Sequence, residues 1–288
     1  PPPAQLPRPL PEPRRGPGLR RRMDDGESGP GSVLDTIVEH KRAHLKVTPP
    51  DPKTLHALAA SRGDPRDFAA ALLAGPRPAL IAECKRRSPV QGLIAEDYDV
   101  ALIAREYEKG GASAISVLAD AHFDGAPAHV AQAWAASKLP LLFKDFIIDP
   151  IQVLEARAHG ADCVLLIARI LGAAEMVELV DRTHELGMQV LLEVYDEAEV
   201  DDAVAAAPDM LGVNHRSLAD FSIDSTIFQR VATRLPAGVP MVAESGFENR
   251  EQVTEAAAAG ARAVLVGTAL MQAEDRVAKV RELIGAAA

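Results

Sequence analysis

Five apolar segments of this chain end in side chains that a buried strand does not normally carry. IAECKR holds Glu83 and Lys85, LLFKDF holds Lys144, LLEVY holds Glu193, GVNHR holds Asn214 and Arg216, and VAESG holds Glu244. In extended backbone, residues two apart point to the same side. Glu83 and Lys85 therefore share a side, as do Lys144 and Phe146, and Asn214 and Arg216. Cys84 points the other way, as a small buried hydrophobe. Charges taken out of water are strongly disfavoured unless they are paired. Unlike charges closing five segments point to one ion network around a polar cavity, against the alternative of structural ion pairs that plug an interior. Lysines among carboxylates can give and take protons, and a planar arginine fork can grip a carboxylate.

The elements that must position these residues repeat. Eight apolar runs recur: Leu80–Lys85, Ser113–Asp120, Pro140–Phe146, Asp162–Ala168, Gln189–Tyr195, Met210–Arg216, Pro240–Gly246 and Ala263–Ala269. Their starts are 21 to 33 residues apart, the span of one strand, one helix and two short loops. Runs such as DCVLLIA are apolar at successive positions, as expected of strands buried on both faces of a parallel sheet. The intervening stretches have helix punctuation. One places Ala101, Ala104 and Tyr107 on one face and stops at Gly110 and Gly111. Another opens at Asp149 and Pro150 and closes at Gly160, and a third runs from Asn249 to Gly260. Eight such units predict an α/β fold, a (βα)8 barrel, whose chemistry sits at the C-terminal ends of the strands. An open doubly wound sheet is the alternative, and the chain has neither a GxGxxG turn nor a GxxxxGK[ST] loop. In a barrel, the loops after strands seven and eight commonly hold a phosphate. Here they carry Ser245, Gly246, Gly267 and Thr268. Ahead of the barrel, SVLDTIVEHKRAHL and RDFAAALLAG predict two helices, the first with Ser32 as N-cap and Asp35 three residues on. They can cover the barrel floor or wall, or reach over its top.

Composition narrows the function classes. The chain has 288 residues, 48% apolar, with a net charge of −10. The first 22 residues hold eight prolines and six arginines against one acid, Glu12, so this head is near +5 and the rest near −15. Residues 1–31 read as a disordered Pro/Arg-rich head, and 32–288 as one barrel domain with N-terminal helices over 32–79. The head admits three readings: an over-extended reading frame with Met23 as the start, a transit-peptide remnant, or a basic arm. The body is expected in the cytoplasm, or in a plastid if the head is a transit remnant. An acidic body with 4% aromatics argues against nucleic-acid binding. No apolar run is long enough to span a membrane. Two cysteines, Cys84 and Cys163, make neither a disulfide framework nor a four-cysteine zinc site, and the histidines form no HxH or HExxH, so no metal is expected.

These motifs together resemble the indole-3-glycerol phosphate synthase family. IAECKRRSPVQGLI resembles its strand-one signature, and ISVLAD with FDG its strand two and following loop. LLFKDFIIDPIQVLEARAHGADCVLLI, LLEVYDEAE, LGVNHRSL, VAESGF and VLVGTAL follow in the family's order, so the resemblance spans about residues 32–285. It implies a ring closure that uses no cofactor. In 1-(2-carboxyphenylamino)-1-deoxyribulose 5-phosphate an aromatic carbon attacks the ketone, the carboxylate leaves as carbon dioxide, and a hydroxyl leaves as water. By this resemblance Lys144 is the general acid at the ketone oxygen and Lys85 a second cation. Glu193, with Asn214 nearby, serves the dehydration, and Glu83 positions both lysines. Arg216 meets the substrate carboxylate, and Glu244 its hydroxyls. Ser88 joins Ser245, Gly246, Gly267 and Thr268 around the phosphate. Phe123, Phe146, Leu165 and Leu265 wall the aromatic ring. The implied partners are this small anionic substrate and other enzymes of the tryptophan pathway.

The chain departs from the family pattern at Val90, Gln91, Ala119, Ala126, Tyr195, His215 and Thr268, none of them a proposed catalytic position. At Ala126 the family usually has Ser, and at Tyr195 usually His. Three other classes remain open: an aldolase-type barrel with a Schiff base on Lys144, a phosphosugar lyase or isomerase, and a non-catalytic barrel held in a pathway complex.

Overall fold

The structure, a computed structural model, describes residues 33–286 apart from 89–90, 217–221, 223, 225 and 237. The expected head, the Ser32 cap and Val90 lie outside the described residues. Eight parallel strands form a closed barrel: β1 (Ala79–Cys84), β2 (Ala114–Leu118), β3 (Leu141–Lys144), β4 (Cys163–Ile167), β5 (Gln189–Val194), β6 (Met210–Asn214), β7 (Met241–Glu244) and β8 (Ala263–Val266). β1 closes the ring, with Ala79 beside Ala263 of β8 and Ile81 beside Ala114 of β2.

Each strand alternates between two apolar layers. Ile81, Leu142, Leu165, Leu191, Met210, Val242 and Leu265 fill the barrel interior. Leu80, Ile115, Leu141, Val164, Val190, Leu211 and Val264 pack outward in the layer beneath the helices, together with Cys84. Continuing the inner face by two residues from Ile81, Leu142, Leu191 and Val242 reaches Glu83, Lys144, Glu193 and Glu244. From Met210 it reaches Gly212 and then Asn214. The charged residues are thus the top layer of the interior. The strands end before the apolar runs do: pairing stops at Lys144, Val194, Asn214, Glu244 and Val266. At β7 the reason is backbone geometry, because Ser245 and Gly246 have φ of 70° and 86°, outside any strand conformation.

Helices α1 (Val33–Val47), α2 (Pro52–Ala60) and α3 (Phe68–Ala74) precede the barrel. The wall is made by α4 (Val100–Gly110), α5 (Pro127–Ala136), α6 (Pro150–Ala158), α7 (Ala173–Glu185), α8 (Val200–Ala205), α9 (Ile227–Ala232), α10 (Arg250–Ala258), α11 (Thr268–Met271) and α12 (Arg276–Ile284). The caps are local. Asp99 accepts from Leu102 N and Asp149 from Ile151 N, and Asn249 and Gln252 form a capping box. The buried face of α4 is Val100, Ile103, Ala104 and Tyr107, so it is turned slightly from the expected one and Ala101 is only half-buried.

The three leading helices divide the positions open to them. α3 plugs the floor: Phe68 and Leu72 are fully buried in the interior cluster, and Ala69 N donates to the side chain of Gln189 at the start of β5. Burying two such side chains contributes about 1.5–3 kcal/mol each. α2, which the sequence reading did not anticipate, starts from Asp51 and Pro52 and packs on α6. α1 crosses the top, where Lys41 and His40 meet the loops after β2 and β3.

Candidate active site

The top of the barrel opens into a cavity of about 590 Å³. Glu83, Lys144, Glu193, Asn214 and Glu244 come from strand ends; Lys85, Ser88, Phe123, Phe146, Arg216, Ser245, Gly246 and Gly267 come from the segments that follow them, and Thr268 is the first residue of α11. Leu165 and Leu265 rise from the interior faces of β4 and β8. The structure thus brings every sequence-predicted site residue to one cavity. A mixed lining of aromatic and aliphatic walls with a few convergent charges is the usual composition of a small-molecule site.

Its electrostatic centre is Lys144. The Nζ lies 3.1 Å from Glu244 Oε2 and 3.5 Å from Glu193 Oε2. Burial disfavours the ammonium, but the charges of Glu244, Glu193 and Glu83 outweigh it, so the proton is held well above the ordinary lysine range. Glu244 is displaced the other way. Burial and the neighbouring Glu193 charge push its carboxyl well above the usual range, against the pull of Lys144. Glu83 is paired with Lys85, Oε1 to Nζ 3.0 Å. Burial raises its carboxyl, and Lys85 and Lys144 more than offset this, leaving it below the usual range. Glu83 contacts Lys85 and acts on the charge of Lys144 through space.

Two glycines make room for these carboxylates. A Cβ on Gly212 would lie 2.3 Å from Glu244 Oε1, and one on Gly267 would lie 2.5 Å from Glu83 Oε1. Gly267 therefore accommodates the Glu83–Lys85 pair as well as lining the loop expected to take phosphate. Ser245 holds a left-handed φ without being glycine, a strain of about 1–3 kcal/mol that tends to persist at functional sites.

Asn214 Nδ2 donates to Glu193 Oε1 at 3.2 Å and to Tyr195 Oη at 3.4 Å, while Asn214 Oδ1 accepts from Arg216 N at 2.9 Å. Ser88 Oγ accepts from Gln91 N, and Gln272 Nε2 donates to Gln91 Oε1 at 3.0 Å, which ties the loop after β1 to the end of α11. Among the described residues, no group of three or more His, Cys, Asp or Glu side chains is arranged to hold a metal ion.

Sequence reasoning missed two groups at this site. Tyr195 lines the cavity, although it was noted only as a departure. Asp145 also lines it, and Lys41 of α1 lies 2.6 Å from Asp145 Oδ1 and 2.7 Å from Asp120 Oδ2. Burial raises the Asp145 carboxyl to about 6. His122 Nδ1 is 2.9 Å from Asp120, and the His122 ring stacks on His40 of α1. The available signal was an acid placed directly after Lys144 and another after the β2 run. Other departures have local explanations. His215 points away from the cavity, packed against Phe228 and Phe247, with Nδ1 2.9 Å from the Glu244 carbonyl oxygen. Ala126 is the N-cap residue of α5 and provides no side-chain acceptor.

Comparison with known proteins places this architecture. The family model for indole-3-glycerol phosphate synthase matches residues 34–283. Indole-3-glycerol phosphate synthase 2 of Streptomyces coelicolor is 49% identical over 232 residues, covering 80% of this chain and 90% of that protein. Indole-3-glycerol phosphate synthase of Mycobacteroides abscessus is 43% identical over 259 residues, covering 89% and 95%. Among solved structures, a chain of the tryptophan synthase complex from Pyrococcus furiosus superposes with a TM-score of 0.56 at 20% identity, over 73% of this chain and 99% of that one. That likeness is one of fold. From the first helix through the eighth strand and beyond, the chain belongs to the indole-3-glycerol phosphate synthase family.

Proposed function

We propose that the cavity closes the indole ring of 1-(2-carboxyphenylamino)-1-deoxyribulose 5-phosphate, releasing carbon dioxide and water. The observation that carries this reading is the position of the Lys144 ammonium between the Glu193 and Glu244 carboxylates. A ketone attacked by an aromatic carbon develops negative charge on oxygen, and a proton held at that point lowers the barrier. Lys144 supplies that proton. Lys85, paired with Glu83, faces the same space and balances the substrate carboxylate until it leaves as carbon dioxide. Arg216 grips that carboxylate through its planar fork. Water is then lost when the hydroxyl departs with a proton and Glu193, oriented by Asn214, takes up the proton released from the adjacent ring carbon, so that one C–O and one C–H bond break as the indole double bond forms. Glu244 takes the substrate hydroxyls. Phe123, Phe146, Leu165 and Leu265 flank the aromatic ring, with Phe123 and Phe146 6.3 Å apart between ring centres. Ser88, Ser245, Gly246, Gly267 and Thr268 receive the phosphate.

A Schiff-base reading of Lys144 is disfavoured, because a nucleophilic lysine must lose its proton near neutral pH and this one is held strongly protonated. The protein acts in the cytoplasm beside other enzymes of the tryptophan pathway; among the described residues no helix is long and apolar enough to cross a membrane. Indole fluorescence on adding the substrate tests the reading. Product should form without added metal. Folded protein that gives no fluorescence overturns the proposal, and a borohydride-trapped adduct on Lys144 would move the chain to the Schiff-base class.

A further inference from the structure

Tyr195 is the first residue after β5, two positions from Glu193, and its side chain turns back into the top of the barrel. Both amide hydrogens of Asn214 are used, one on Glu193 Oε1 and one on Tyr195 Oη. The Tyr195 oxygen therefore accepts from the same amide group that donates to Glu193, and Asn214 bridges the two side chains.

The ring of Tyr195 is also held from its other side. The Arg169 guanidinium lies 5.0 Å from its centre, and Arg169 is itself fixed by Asp196 at 2.7 Å and Glu199 at 2.8 Å. Tyr195 N donates to Glu199 Oε2 at 2.6 Å, so backbone and side chain are tied to one anchored group. Tyr195 is buried, and an aromatic held by a cation on one face and a hydrogen bond at its tip has little freedom to swing. Glu193 has no comparable restraint of its own. Apart from Asn214, its carboxylate meets Lys144 at 3.5 Å, longer than a hydrogen bond of good geometry.

We infer that Tyr195 is a positioning residue for the ring-closing reaction, holding the Asn214 amide that orients the Glu193 carboxylate. The inference rests on the proposed function, since it assigns Tyr195 a part in how Glu193 moves its proton. Tyr195 has no required contact with substrate. Its loss is therefore expected in turnover and not in binding, because the carboxylate is retained but is no longer confined to the productive geometry.

The test compares the parent enzyme with Tyr195→Phe, Tyr195→His and the Asn214→Ala/Tyr195→Phe pair, by steady-state indole fluorescence with the carboxyphenylamino ribulose phosphate. Tyr195→Phe keeps the ring on Arg169 and removes only the hydroxyl. It should lower kcat about 3- to 10-fold, the effect of one buried hydrogen bond, and move KM by less than about 2-fold. Tyr195→His restores a polar ring atom and should recover part of that loss, although it changes the shape more. In the Asn214→Ala background, removing the hydroxyl should lower kcat clearly less than it does in the parent, since the bridge to Glu193 is already gone. A Tyr195→Phe enzyme with parental kcat overturns the inference, as does one whose whole loss appears in KM. A parent protein that makes no indole product refutes the proposed function instead, so the two failures are distinguishable.

Discussion

Two buried ion clusters sit at the top of this barrel, each with one lysine between two carboxylates, and they are built for different purposes. In the first, Lys41 reaches from α1 to Asp120 and Asp145 at 2.7 and 2.6 Å. Both aspartates have backbone donors as well: Asp120 Oδ1 accepts from His122 N, and Asp145 Oδ1 from Phe146 N. In the second, Lys144 stands 3.1 and 3.5 Å from Glu244 and Glu193, and Glu244 Oε1 and Glu193 Oε2 receive no hydrogen bond from protein groups. Buried polar atoms without hydrogen bonds are unfavourable and uncommon away from functional sites. The contrast separates a clamp from a reaction centre. Lys41 fastens a helix to two loops with the shorter ion pairs and with backbone donors on both aspartates. Lys144 is held more loosely, among carboxylate oxygens free to meet a ligand.

That distinction can be broken at several points. The largest effect belongs to the reaction centre. Glu193→Gln keeps the shape and the Asn214 contact but loses the titrating group; turnover should fall by about 10²- to 10⁴-fold with substrate binding retained, read by fluorescence kinetics and calorimetry. Residual turnover near the parent level would remove Glu193 from the dehydration. The clamp should respond in stability instead. Lys41→Met leaves Asp120 and Asp145 buried without their shared cation and should destabilise by about 3–5 kcal/mol in denaturant unfolding, with a smaller effect on kcat than Glu193→Gln. A variant as stable as the parent would mean that α1 is not fastened by this pair.

Gly212→Ala is expected to be intermediate, because its methyl must displace the Glu244 carboxylate. A stability loss of about 1–3 kcal/mol should come with a drop in kcat, and parental values of both would show that the carboxylate moves aside freely. The smallest effect is a pH dependence of the clamp. The folded-state value of Asp145 is raised to about 6, so the folded state holds a proton that the unfolded chain releases from near pH 4. That contribution is present at low pH and is lost as pH rises through about 6. Asp145→Asn should therefore lose less thermal stability than the parent between pH 4 and 7, and identical slopes would contradict the raised value.

Much of this was legible because the periodicity of two is local. It put Glu83, Lys144, Glu193 and Glu244 on the interior face above an apolar column, and it turned Cys84 outward. It could not say which charges meet. Lys144 on β3 finds Glu244 on β7, a strand that is not its neighbour in the ring, and only barrel closure produces that contact. Lys41 was hidden in the same way: on an amphipathic helix a lysine reads as solvated surface, and its two aspartates lie far along the chain. The same periodicity puts Tyr195 on the side of Glu193, but no local pattern shows that its hydroxyl meets Asn214 of the neighbouring strand. The head and the loop residues outside the described part of the chain contribute nothing to these conclusions.

The central claim is that Lys144 gives the proton that drives ring closure. Substitution by Met, which keeps much of the bulk and removes the ammonium, tests it most directly when turnover and substrate binding are measured on the same preparation. The account predicts that Lys144→Met binds the carboxyphenylamino ribulose phosphate and makes essentially no indole product while the parent protein does. A Lys144→Met protein that closes the ring at the parental rate would contradict it.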